Sequence, residues 1–79
     1  MLKKTSIFNL GNDIAAYFRR AALPSQQETL GAIVIEILYS GQTLSRRRIC
    51  LHLLTRLEKA YLPQDRQHLL DLIRLLFSQ

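Results

Sequence analysis

Cys50 is the only cysteine in the chain, so no disulfide within it can staple the fold. A lone thiol suits a reducing compartment. No uninterrupted apolar run reaches the roughly 18 residues that a spanning helix needs. The start, Met1 to Phe8, is basic through Lys3 and Lys4 but lacks a sustained apolar stretch and a small-residue cleavage site. It does not read as a signal peptide, and the expected address is the cytoplasm, with no membrane partner. Gly11, Gly31 and Gly41 lie far apart, which excludes a glycine-rich phosphate loop. Tryptophan is absent and no aromatic residue interleaves with the arginines, so base stacking on single strands is not indicated. No segment alternates as a strand does, and none repeats.

Catalytic chemistry is equally thin. His52 and His68 have no metal-ligand spacing with each other or with Cys50. On a helix, the Cys50-Leu51-His52 triplet turns its cysteine to one side and its histidine to the other. Cys50 then reads as a small buried apolar residue, and Tyr17, Tyr39 and Tyr61 as amphipathic packing residues. No enzyme, cofactor or metal site is expected. Phosphoryl transfer through an exposed histidine lacks a supporting site.

What remains is helical. Residues 1–11 form a polar lead-in expected to be poorly ordered, and 12–79 a single helical regulatory domain. The expected architecture is all-α, a small bundle of three to four helices completed by dimerisation. A first helix is expected over about 12–22, capped by Asn12 or Asp13, with Ile14, Tyr17, Phe18 and Ala21 on one face, and Pro24 stops it. Ser25-Gln26-Gln27-Glu28 reads as a capping box for a second helix that runs to about Tyr39 and is closed by Gly41. Ser45 caps a third helix to about Ala60. Pro63 suits the first turn of a fourth, which continues to about Phe77.

The second helix carries two apolar stripes. Leu30, Ile33, Val34, Ile37 and Leu38 make the core stripe, while Ala32, Ile35 and Tyr39 repeat on the opposite side. Leu51 and Leu75 also point away from the core stripes of their helices. A 79-residue chain has little core to offer, so Ala32, Ile35 and Tyr39 are the candidate interface of a homodimer. The alternative is that the short first helix covers them.

Charge is uneven. The net +5 leaves a surplus of one in residues 1–41 and of four in residues 42–79. On the third helix Ile49, Cys50, Leu53, Leu54, Leu57, Ala60 and Tyr61 share the side expected to be buried. Arg48, His52, Thr55, Arg56 and Lys59 make a basic ridge on the other. Arg46, Arg47 and Arg48 occupy the first turn, where the helix dipole already disfavours cations, so something negative is expected nearby. The candidate partner- or phosphate-contacting residues are therefore Arg46, Arg47, Arg48, Arg56 and Lys59. The bland alternatives are an exposed charge run and a solubilising surplus.

Several segments taken together resemble a known family: Ala16-Tyr17-Phe18-Arg19, Gln26-Gln27-Glu28-Thr29-Leu30-Gly31, Ile33-Val34, Glu36-Ile37-Leu38, Thr43-Leu44-Ser45-Arg46 and Leu53-Leu54-Thr55-Arg56-Leu57-Glu58. Their order and spacing over roughly 14–77 are similar to the YmgB/AriR biofilm and acid-resistance regulators of enteric bacteria. The resemblance implies a small, dimeric, helical connector that feeds stress signals such as cold and blue light into the Rcs phosphorelay. Its partner would then be a response regulator or another phosphorelay protein, and its targets capsule, motility and biofilm genes. For the AriR branch the resemblance also implies non-specific DNA binding and a shape like the Hha nucleoid co-regulators, so DNA is the alternative partner. No catalytic residues carry over. The chain departs from the resemblance at Tyr61-Leu62-Pro63-Gln64-Asp65-Arg66, which is less acidic than expected before the last helix. An inherited acidic face is not expected there.

Overall fold

The computed structural model describes residues 14–77. The lead-in 1–11 and the Asn12 or Asp13 cap lie outside the described residues. Four helices and no strand occur among the described residues: α1 over 14–20, α2 over Pro24–Tyr39, α3 over Arg46–Lys59 and α4 over Pro63–Phe77. The all-α expectation holds.

Each boundary has a local cause. Leu23 precedes a proline and is extended, at φ −101° and ψ 141°, because the proline ring disfavours the helical region for the residue before it. Pro24 then opens α2 at the first helical position, where no amide hydrogen is needed. The expected Ser25–Glu28 box is therefore displaced toward the N-terminus. Leu23 N–H donates to Gln26 Oε1 at 3.3 Å, and the leucine side chain has no acceptor with which to reciprocate. Ser25 is already inside the helix, its carbonyl accepting from the Thr29 hydroxyl at 3.1 Å. Gln27 Nε2 donates to the Ala21 carbonyl at 3.0 Å and ties α2 to the end of α1.

At the far end of α2, Gln42 N–H donates to the Ile37 carbonyl and Gly41 N–H to that of Leu38, at 3.2 and 3.1 Å. This is a Schellman closure, and it places Gly41 at φ +75°, in the left-handed region. Ser45 caps α3 as expected, its side chain accepting from Arg48 N–H at 3.1 Å. Arg66 closes the other end of α3. Its Nη1 donates to the carbonyls of Leu57 and Ala60 at 3.0 and 2.9 Å, a cation set where the helix dipole is negative.

The core is a stripe from each helix. Tyr17 comes from α1 and Ala21 from the residue after its end, Leu30, Ile33 and Ile37 come from α2, Ile49 and Leu53 from α3, and Leu69, Leu72 and Leu76 from α4. All are spaced at i, i+3, i+4 or i+7, the single-face pattern of a helix. α3 is the central element, packed against both α2 and α4. Thr29 and His68 join α2 to α4: with its hydrogen given to Ser25, the Thr29 hydroxyl accepts from His68 Nε2–H at 2.9 Å.

Several apolar assignments shift. Leu38, expected in the core stripe, is 56% exposed, and Tyr61, assigned to the buried side of α3, is 86% exposed. Leu38 lies at the margin of its stripe, and Tyr61 falls beyond the end of α3, where helical periodicity no longer governs its direction. Leu54 is likewise exposed, whereas Leu75 is half-buried against the core. Of the tyrosines, Tyr17 is buried but Tyr39 and Tyr61 project outward.

The two described glycines make a paired test. A Cβ at Gly31, inside α2, meets nothing within 4 Å, and neither does one at Gly41. The difference between them is backbone conformation. Gly31→Ala is expected to stabilise the protein by about 0.5–1 kcal/mol through helix propensity. Gly41→Ala is expected to cost about 1 kcal/mol, because an L-residue is strained at positive φ. Opposite shifts in urea midpoint at unchanged m-value check this.

Candidate functional site

The outward side of α3 is fixed by its inward side. Ile49 and Leu53 are buried, so Arg48, His52, Thr55, Arg56 and Lys59, about a third of a turn away, reach the rim between α3 and α2. From α2 comes Glu36, next to the buried Ile37 and thus at the edge of the stripe that packs on α3. Both of its carboxylate oxygens are engaged. His52 Nδ1–H donates to Oε1 at 3.2 Å, and Arg56 Nη2 donates to Oε2 at 2.9 Å. Solvent reaches all three side chains, which are 50%, 28% and 38% exposed for Glu36, His52 and Arg56.

These groups line an open groove of about 380 Å³ that also includes Gln42 and Leu51. A smaller hollow of about 220 Å³, lined by Ser45, Arg47, Arg48 and Leu51, shares Arg48 and Leu51 with it. Three permanent cations and one carboxylate face the groove, and Leu51, 47% exposed, adds an apolar surface. The Thr55 hydroxyl donates to the Leu51 carbonyl at 3.0 Å and so is committed to its own helix. Such an arrangement attracts a negatively charged group and offers it donors. Among the described residues no group of three or more His, Cys, Asp or Glu is placed to hold a metal ion.

The first-turn arginines do not act as one cluster. Arg46 shares the register of Ile49 and Leu53, three and seven residues on, and its guanidinium lies over the Phe77 ring at 5.2 Å. It belongs to the α3–α4 seam. Arg47 lines the smaller hollow and not the groove, and Arg48 lines both. Arg56 and Lys59 line the groove as their spacing suggests. Glu36 escaped the sequence reading, although it is the sole charge between Gly31 and Tyr39. Cys50 is half-buried against the apolar core.

A second surface lies on α2. Ala32 is exposed, Ile35 is 52% exposed and Tyr39 is 89% exposed. Nothing in residues 14–77 covers this stripe, and Leu38 extends it. α1 packs on the core through Tyr17 instead, as does Ala21 just after its end. No described helix is long and apolar enough to cross a membrane.

The family of biofilm development protein YmgB/AriR matches residues 22–79. The chain belongs to this family. The match takes in all of α2, α3 and α4, and with them every residue of the groove. The probable two-component-system connector protein YcgZ of Escherichia coli (strain K12) is 52% identical over 65 residues, which cover 82% of this chain and 83% of that protein. No solved structure matches.

In this YmgB/AriR-family chain the Glu36–Arg56 pair is exposed on both sides, and exposed pairs contribute little after screening. A double-mutant cycle with Glu36→Gln and Arg56→Gln is expected to give a coupling of about 0.2–1 kcal/mol that shrinks toward about 1 M salt. A coupling of about 3 kcal/mol would show instead that the pair is a buried structural unit.

Proposed function

We propose that this protein is a non-catalytic regulatory connector. It carries a stress signal into a two-component phosphorelay of the Rcs type by touching a response regulator or another relay protein, and so affects biofilm, capsule and motility genes. The observation that carries this reading is the 52% identity to a protein named as a probable two-component-system connector, spread over 82% of this chain. The groove supports it, because Arg48, Arg56 and Lys59 offer charge and hydrogen-bond donors to a partner. The proposed location is the cytoplasm, where a lone thiol stays reduced.

The working unit is a homodimer through the outer face of α2. Ile35, Leu38 and Tyr39 would leave water there, and a short chain with a small core gains from that burial. Direct, sequence-independent DNA binding is the competing role for the arginines. Against it, Arg46 is turned toward Phe77, so the three first-turn arginines do not present one continuous phosphate-binding cluster.

Two measurements test these claims. At about 0.15 M salt, where exposed charges are screened within roughly 8 Å, a purified Rcs-type response regulator should be retained by the immobilised protein while unrelated DNA duplexes shift poorly. Tight DNA binding without regulator binding overturns the connector reading. In sedimentation, the wild type should be a dimer at tens of micromolar (~), a range in which ordinary dimers persist. Ile35→Asp should release monomers, because the interface would bury an unpaired charge. Tyr39→Ser, at a side chain already 89% exposed, should weaken the dimer without unfolding the chain. A monomeric wild type overturns the dimer.

A further inference from the structure

The groove already contains a carboxylate, and that points to how it binds. We propose that Glu36 is a built-in occupant of the groove, and that an acidic segment of a protein partner docks by displacing it. A partner carboxylate takes over Arg56 and His52, and a neighbouring apolar side chain seats on Leu51. This rests on the connector reading and gives it a site and a partner chemistry.

Three observations carry it. First, Glu36 engages Arg56 and His52 through separate oxygens, yet is half exposed, so water and ions reach the contact. Exposed pairs of this kind are weak and exchange at little cost. Swapping one carboxylate for another buries no new unpaired charge. Second, the groove is not neutralised by Glu36. Among the described residues Arg48 and Lys59 have no ion pair, so positive charge remains on the rim to attract a chain with more than one acid. Arg56 uses Nη2 on Glu36, and a guanidinium has further donors with which to grip a partner carboxylate in fork geometry. Third, the size and lining suit side chains. A space of about 380 Å³ with Leu51 beside the cations accepts an acid and an apolar neighbour. A nucleic-acid backbone would gain nothing from Leu51.

The proposal gives Glu36 a signature opposite to that of a structural residue: removing its charge should improve binding. The probe is a fluorescein-labelled short poly-glutamate peptide with one central leucine, followed by anisotropy at about 0.15 M salt. Glu36→Gln should tighten binding at least about threefold, the factor expected from freeing an exposed ion pair. Glu28→Gln changes net charge equally on an exposed stretch of α2 outside the groove, and should leave affinity near wild type. Arg48→Glu and Lys59→Glu should each weaken binding about tenfold or more. Thermal melts verify that every variant is folded. An unchanged or weaker affinity in Glu36→Gln, an equal gain in Glu28→Gln, or preference for a DNA duplex over the peptide overturns the proposal. Running the same variants against the response regulator separates the two readings. Capture that ignores Glu36→Gln and Arg48→Glu removes the groove but leaves the connector. The expected peptide pattern without any regulator capture leaves the groove and removes the connector.

Discussion

The structure depends on the buried seam of Ile49 and Leu53 on α3. Both side chains are excluded from water, and α3 is the helix on which α2 and α4 both pack. Fully burying an aliphatic side chain of this size is worth roughly 1.5–3 kcal/mol, far more than any surface ion pair here. The seam therefore sets the rotation of α3, and that rotation decides where the charges go. Arg48, His52, Arg56 and Lys59 are carried to the rim facing α2, while Arg46 is carried to the end of α4 and over Phe77.

Helix termini then fix how far each stripe extends. The Schellman closure at Gly41 ends α2 about one turn after Glu36, and the Ser45 cap starts α3 about two turns before His52. Those two ends bring a carboxylate and its donors opposite each other from positions 16 and 20 residues apart. Arg66 finishes the frame from α4 by satisfying two carbonyls at the end of α3. In a chain with so small a core, such caps, each worth about 1 kcal/mol, are a sizeable part of the whole stability.

α2 serves two surfaces at once. Its inner stripe is core, its outer stripe of Ala32, Ile35 and Tyr39 is open, and Glu36 lies between that open stripe and the groove. The proposed dimer and the proposed acidic partner would therefore meet on adjacent faces of one helix.

The all-α class, the four helical segments, the Ser45 and Gly41 boundaries and most of the core stripes were legible in the amino-acid sequence. They depend on interactions within a few residues: periodic apolar positions, a hydroxyl cap and a glycine free to adopt positive φ. The basic ridge was legible for the same reason, as Arg48, Arg56 and Lys59 share one helical face. The proline start of α2 was misplaced because Ser25 and Glu28 looked like a reciprocal cap, while Pro24 and the extended Leu23 begin the helix earlier. Other features were settled by tertiary packing. Whether Leu38 and Tyr61 are covered depends on which neighbour lies against them, and none among the described residues does so. The role of Glu36 was invisible along the chain, because its partners belong to another helix. Only the packing of α2 on α3, driven by apolar stripes that contain no charge, turns a solitary acid into the carboxylate at the centre of a cationic groove.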